Sequence, residues 1–430
     1  MYKLVNIFDL QLIIKTKSNI MKTFQVIAML ALLLFSSIGM QAQTGQTQSN
    51  QIVIGTKDII HSKILNEQRE IWVYVPSSAS DTSFSKQRYP VIYLLDGDSY
   101  FTSVVAMIKE LSMEWAYPEM IVVGIPNTDR MRDLSPTHVD SFQFLNVSFD
   151  NDMCKTSGGG ENFISFIEKE LMPHIDSLYS TSPYRMLIGH SLGGLTVINT
   201  LIHHTDLFKA YVAIDPVMSS ENQIFLKETK KALTNNDYSG VSLFLGIANT
   251  MDFGMDTIKV KKDTSKITEH IRSIFELRDL LNKNRQNHLK YAWRYYNNDT
   301  HHSVPLNAEY DGLRFILQDY QINIIYDDNG KLERLYENLS RHFGYTVKPP
   351  ESLINNLAYS NLWMKKFDKA IYLFKLNVSI YTDSWNAYDS LGDYYAAIGD
   401  KAKAIDNYKK VLSLKEIPDT LKKLEALQSK

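Results

Sequence analysis

Tyr184-Arg-Met-Leu-Ile188, Gly189-His-Ser-Leu-Gly-Gly194 and the run Leu195 to His203 follow one another without a break. The first reads as a buried strand and the last as a helix. The glycine-flanked serine between them is a G-x-S-x-G strand-to-helix turn. So sharp a turn leaves no room for side chains at its flanks. It stands the Ser191 hydroxyl out at the top of a sheet, beside the positive end of a helix. G-x-S-x-G alone also occurs in loops without chemistry; the strand before and helix after give this one its weight.

Working outward, short apolar runs recur at Val91–Leu95, Met120–Gly124, Arg185–Ile188, Ala210–Ile214 and Ser242–Leu245, with an aromatic sixth at Tyr291–Tyr296. Runs apolar on both faces suit a mostly parallel central sheet covered by helices. Helical patterns lie between them at Ser103–Glu114, Gly160–Tyr179, Leu195–His203 and Ile267–Asn284. Alternating strand and helix predicts a three-layer α/β domain with its site at the carboxyl ends of the strands. Upstream, Ile52–Gly55 and Glu70–Val75 alternate apolar and polar residues, the pattern of antiparallel edge strands.

The 430 residues allow one large or two moderate domains, and 44% apolar with 22% charged residues is ordinary for a globular protein. A formal net charge of −2, without a basic stripe, argues against nucleic-acid binding. The single cysteine, Cys154, rules out an intrachain disulfide and a cysteine-rich metal site. At the N-terminus, Met21-Lys22, the apolar Phe24–Ile38 and Met40-Gln-Ala42 read as an export signal with a small-residue cleavage site. Residues 1–20 then precede the working start, and no cysteine near the cut supports a lipid anchor. An uncleaved anchor is the alternative. Expected location is therefore a bacterial periplasm or exterior, with no transmembrane span once the signal is removed.

The expected boundaries are 1–42 for the leader, 43–325 for the α/β domain, 326–350 for a polar connector and 351–430 for helical repeats. In the last segment Leu357 matches Leu391, Ala370 matches Ala404 and Phe374 matches Tyr408, a 34-residue period. That spacing resembles the tetratricopeptide repeat, whose small alanine lets two helices cross closely. Two units leave apolar faces to be covered by the α/β domain, by Pro418–Leu427 as a cap, or by a protein partner.

A serine hydroxyl needs a base within hydrogen-bond reach and a group that orients the base. The histidines beyond Ser191 are His203, His204, His270, His288, His301 and His302. His203 and His204 end the helix after the turn, His270 falls inside a helical pattern, and His288 precedes the last strand. His301 and His302 follow that strand in a polar loop, where such a base belongs; His301 is preferred and His302 is its alternate. For the acid, the loop after Ser242–Leu245 offers Asp256 first and Asp252 second, with Asp215 or an unassisted Ser–His pair as the remaining choices. Backbone amides of Leu192 and of Gly97 or Asp98 would hold an oxyanion. Arg130 and Arg132 sit in a loop on the same side, either contacting an anionic or catechol-like substrate or lying solvated at the lip. Trp115, Trp293 and Tyr296 read as core. No P-loop, dinucleotide fingerprint or metal-ligand spacing appears, so no cofactor is implied.

Several spaced stretches carry a resemblance: Glu67–Pro76, Tyr89–Asp98, Val122–Pro126, Arg132–Pro136, Phe163–Tyr179, Gly189–Gly194, His301–Pro305 and Tyr310–Phe315. Residues of about 52 to 320 resemble the putative esterase family of α/β-hydrolases, which includes esterase D and enterochelin-type siderophore esterases. The resemblance implies Ser191 as nucleophile, His301 as base, and ester hydrolysis through an acyl-enzyme on siderophore-like lactones or carbohydrate-linked acyl esters. Two departures stand out. Asn249 and two aspartates replace a frequent glutamate after the seventh strand, and Ile214-Asp-Pro-Val-Met218 replaces a common Trp-containing pocket segment. An acyltransferase using the same serine, or an inactive scaffold whose repeats bind a partner, are the alternative readings.

Overall fold

The computed structural model describes residues 51–113, 117–145, 147–219, 224–320 and 330–429. The leader and Trp115 lie outside the described residues. Residues 54–430 form one unit by their contacts.

Its centre is an eight-stranded sheet in the order β1-β2-β4-β3-β7-β8-β9-β10. β1 (Thr56–Ser62), β2 (Glu67–Tyr74) and β4 (Ile121–Ile125) pair antiparallel, in the order β1-β2-β4. From β4 onward every pair is parallel, through β3 (Tyr89–Leu95), β7 (Thr181–His190), β8 (Ala210–Ile214), β9 (Ser242–Ala248) and β10 (Lys290–Tyr296). All residues of β3, β4, β8 and β9 are buried, as continuous apolar runs covered on both faces require. A separate two-stranded hairpin, β5 (Phe142–Phe144) and β6 (Val147–Phe149), stands off the sheet.

The period of two sorts the strand side chains into two cores. Val91, Tyr93 and Leu95 pack with α3 (Gly160–Phe166), α4 (Met172–Leu178), α5 (Leu192–His203), α6 (Ile224–Asn235) and α7 (Glu269–Lys283). Ile92 and Leu94 pack with α1 (Gly97–Leu111), α8 (Val304–Ile316) and α9 (Lys331–Phe343) on the other face. A short helix, α2 (Arg130–Leu134), follows β4. A π-helical turn, Ile167–Leu171, joins α3 to α4. The result is the α/β-hydrolase sandwich.

Three expectations shift. The first edge strand forms at Thr56–Ser62 rather than at 52–55, where Ile52 and Val53 are exposed, because its register is set by pairing Ser62 with Glu67 across the turn. The helix expected from Ser103 begins at Gly97, directly after β3. The polar connector contains α9, whose Tyr336, Leu339 and Phe343 are buried in the second core; Phe343 lies 4.2 Å from Tyr184 between ring centroids. Its polar residues are one face of an amphipathic helix, which composition alone hides.

Beyond α9 the chain forms hairpins of α10 (Glu351–Trp363) with α11 (Phe367–Ile380) and α12 (Trp385–Ala397) with α13 (Lys401–Leu414), closed by α14 (Pro418–Gln428). Ala370 and Ala404 are fully buried at equivalent crossings, with Phe374 and Tyr408 beside them. Glu351 ties this tail to the sandwich. Its buried carboxylate accepts from the Ser85 amide at 2.7 Å and from the Ser384 hydroxyl at 2.5 Å. No helix among the described residues is long and apolar enough to cross a membrane.

Candidate active site

β7 delivers Ser191 at φ 60° and ψ −117°, a conformation that costs a non-glycine residue about 1–3 kcal/mol. Neighbours hold it there. Its amide donates to Ile214 O at 2.9 Å, and its carbonyl accepts from Leu195 N at 3.0 Å and Val217 N at 3.2 Å. Close approach explains the flanking glycine: a Cβ on Gly189 would lie 2.4 Å from Gly193 O.

His301, in the turn after β10, is 5% exposed. Its Nε2 lies 3.1 Å from Ser191 Oγ and its Nδ1 lies 2.6 Å from Asp215 Oδ2. With Nδ1–H donating to the carboxylate, Nε2 is left as the acceptor facing the serine hydroxyl. His302 is exposed, and the bonds to Ser191 and Asp215 belong to His301. Asp215 follows β8 at φ 41° and is fully buried. Its amide donates to Gly246 O at 2.8 Å, and its Oδ1 accepts from Ala248 N at 3.0 Å, so β9 pins it.

Neither aspartate expected in the loop after β9 bonds His301 among the described residues; the third choice, Asp215, does. Asp256 is exposed, and its Oδ1 caps the amides of Ile258 at 2.8 Å and Lys259 at 2.7 Å. Asp252 is also exposed, in a turn closed by Met255 N on its carbonyl. Short loop carboxylates prefer such local amides. Asn249 instead clamps the loop that carries His301: its amide donates to Asp299 O at 2.8 Å and its side chain to Asn297 O at 3.0 Å.

β3 and β7 are neighbours in register, Leu94 opposite Ile188, so α1 and α5 spring from adjacent strand ends. Gly97 and Asp98 open α1 and Leu192 opens α5. First-turn amides have no partner within their own helix, and two positive helix ends meet here. A Cβ on Gly97 would lie 2.5 Å from Ile125 N, so only glycine lets the turn after β3 pack on β4.

Arg130 is bound two-pronged to Asp96, at 2.6 and 3.0 Å, and reaches His190 O at 3.3 Å. It braces the turn. Arg132 does not face a substrate freely: it donates to Glu67 at 2.6 and 3.1 Å and to Asp133 at 2.7 Å. The buried Arg69 shares both carboxylates. Arg69 and Asp133 are buried at the centre of this cluster, so losing a partner there leaves a buried charge short of a counter-ion, which marks Arg132 as a strut. Trp293, expected in the core, is 40% exposed on β10 with Arg278 over its ring, whereas Tyr296 is buried.

Sequence reasoning sets His270 aside as a helix residue and misses three further neighbours, Phe144, His190 and Tyr100. His270, on α7, places Nε2 3.0 Å from Asp215 Oδ2. Phe144, from the β5–β6 hairpin, packs its ring at 4.7 Å from both His270 and His301. The ring of His190 lies 4.4 Å from that of His301, with Tyr100 OH on its Nδ1 at 3.0 Å. Burial, then the neighbouring His301, push the His190 imidazole down to about 3, so it stays neutral. Only its position beside Ser191 in the turn hinted at His190.

Burial opposes ionisation of Asp215, but the charge and hydrogen bond of His270 and the hydrogen bond of His301 outweigh it and hold the carboxyl well below its usual range. Burial also lowers the His301 imidazole, against the pull of Asp215. Asp215, His270 and His301 converge closely enough to ligate a metal. Both facing imidazole nitrogens, however, donate protons to the same carboxylate, so neither offers a lone pair there.

On α8, Glu309 is 1% exposed, with Ser103 Oγ 3.2 Å from Oε2 and no partner on Oε1 among the described residues. Burial pushes this carboxyl up to about 8 from 4.5. The folded protein keeps it protonated where the unfolded chain ionises, so its contribution to stability is present below 4.5 and is lost as pH rises through about 8. Glu309→Gln should raise the free energy of unfolding at pH ~8, by an amount on the order of a few kcal/mol, and with it the unfolding midpoint, and change little at pH ~4.5. Thermal unfolding at the two pH values checks this.

The family model for putative esterases matches residues 62–293. The chain belongs to that family. This esterase is 29% identical over 219 residues to the ferri-bacillibactin esterase BesA of Bacillus subtilis, covering 47% of this chain and 73% of the relative. It is 27% identical over 154 residues to the apo-salmochelin esterase of Escherichia coli, covering 34% and 46%. Among solved structures, an IroE-like serine hydrolase from Shewanella oneidensis superposes with a TM-score of 0.66 at 29% identity, covering 76% of this chain and 99% of that one. The protein is thus an ester hydrolase acting on a small-molecule ester.

Proposed function

We propose that this esterase is an exported serine hydrolase that cleaves siderophore-like ester or lactone bonds through an acyl-enzyme. One observation carries the mechanism: the buried chain Asp215–His301–Ser191, with steps of 2.6 and 3.1 Å. Ser191 Oγ attacks the ester carbonyl carbon while His301 Nε2 takes its proton. The amides of Leu192 and of Gly97 or Asp98 hold the developing oxyanion. His301 returns the proton to the departing alcohol. Water, deprotonated by the same nitrogen, then attacks the acyl carbon; the bond to Ser191 Oγ breaks, His301 returns the proton to Oγ, and the acid leaves. Asp215 keeps the imidazole in its productive tautomer and stabilises the imidazolium.

The siderophore-like class rests on the two named relatives; carbohydrate-linked acyl esters are the competing class. The apolar segment Phe24–Ile38 supports export. The 34-residue period and buried alanine crossings support a tetratricopeptide-type tail, docked on the sandwich through Glu351. Fluorophosphonate trapping followed by peptide mapping should label Ser191. A parallel panel of catecholate tri-esters, linear siderophore esters and acylated sugars, read by mass of the released acid, should favour the first two; preference for acylated sugars would reject the substrate class.

The neutral imidazole is the active form of the base, so activity rises with pH through the pKa of His301. Because burial lowers that pKa, the acid limb of kcat/KM should fall below the ordinary histidine value of 6.5. A pH–rate profile on an activated ester measures it.

A further inference from the structure

We propose that His270 is a positioning residue of the esterase reaction, its Nε2–H holding the Asp215 carboxylate in the orientation that serves His301. This rests on the Ser191–His301–Asp215 reading above. Asp215 Oδ2 accepts from two imidazoles, His301 at 2.6 Å and His270 at 3.0 Å, while Oδ1 accepts from Ala248 N at 3.0 Å. Three donors from three segments leave the carboxylate no rotational freedom. A carboxylate held only by His301 and one amide can swing about its last torsion and carry the imidazole with it.

The two rings are built as a unit. Their centroids lie 5.6 Å apart at 84°, and the Phe144 ring contacts each at 4.7 Å. His270 is 1% exposed, and its Nδ1 has no hydrogen-bond partner among the described residues. The Nε2–H of His270 orients Asp215 through the same carboxylate oxygen that His301 uses.

His270 also tempers the negative charge of Asp215. The groups facing His301 are Asp215 after β8, His270 on α7, His190 at the end of β7, and His302 in its own turn. Behind His190 stands the Asp96–Arg130 pair. After burial and against Asp215, His270 is among the groups that hold His301 down. Deleting its donor leaves more negative charge on Asp215, tightens the proton on His301 and moves the acid limb of kcat/KM to higher pH.

His270→Phe keeps the ring volume and removes the donor; His270→Gln restores an N–H near the Nε2 position. In the full chain, His270→Phe should lower kcat by about 10- to 100-fold, the scale of a misplaced reacting group, with KM little changed. Its acid limb should move upward. His270→Gln should recover most of kcat and return the limb to the wild-type position. If His270→Phe does not fold, His270→Asn carries the same test, since its amide ends short of the carboxylate. A donor-free variant with wild-type kcat and an unmoved limb overturns the proposal. So does a loss of activity with an unmoved limb that His270→Gln fails to repair, because a merely structural role would lower the folded fraction without changing the profile. Ser191→Ala run alongside separates the two readings: full activity there overturns the Ser191 assignment itself, whereas an inactive Ser191→Ala with an indifferent His270 overturns this inference alone.

Discussion

Ser191→Ala should abolish ester hydrolysis, lowering kcat by a factor on the order of 10⁶, the loss expected when the nucleophile of such a constellation is removed. The fold should survive. Alanine keeps the Cβ and the backbone bonds to Ile214, Leu195 and Val217, so the turn remains held. Relief of hydroxyl packing is small, and the backbone strain at φ 60° is unchanged. The residual rate reports what the amides of Leu192, Gly97 and Asp98 and substrate binding achieve without covalent chemistry. Steady-state kinetics on an activated ester, with circular dichroism to confirm folding, read this out. Activity within tenfold of wild type would remove Ser191 from the mechanism.

Asp215→Asn should cost about 10⁴ in kcat, because an amide in place of the carboxylate favours the wrong tautomer of the base. The asparagine Nδ2 would point an N–H at His301 Nδ1 or at His270 Nε2, where a proton acceptor stood. When His301 accepts it, that imidazole carries its proton on Nε2, facing Ser191, where it can no longer act as base. Asp256→Asn and Asp252→Asn should stay near wild type, since both carboxylates are exposed and serve only local turns. Comparing kcat of the three variants decides which carboxylate orients the base. A large loss in Asp256→Asn with an active Asp215→Asn would reverse the assignment.

Much of the frame was readable because it is written in local periodicity. Apolar runs on both faces announced the parallel strands, and Gly189–Gly194 announced the turn between β7 and α5. Helix starts were less legible. α1 begins six residues before the apolar pattern, because the chain leaves β3 already turned by Asp96, at φ 52°, and Gly97. α9 was read as a connector because only one narrow face of it is apolar. Asp215 was visible as the residue directly after the buried run Ala210–Ile214, but it ranked below the aspartates of a longer, more polar loop. The usual strand position of such an acid favours that loop; the pinning of Asp215 by β9 does not show in a linear pattern.

Residue spacing settled the strand–turn–helix around Ser191, the alternating strands and helices, and the 34-residue helical period, since each depends on neighbours a few positions apart. Folding in three dimensions had to choose the acid, recruit His270 and Phe144, and turn Arg132 from a candidate substrate contact into a strut. His301 lies 86 positions from Asp215 and 110 from Ser191 along the chain. Groups so far apart meet only where strand order and twist bring their ends together, and no local preference for helix, strand or turn encodes that meeting.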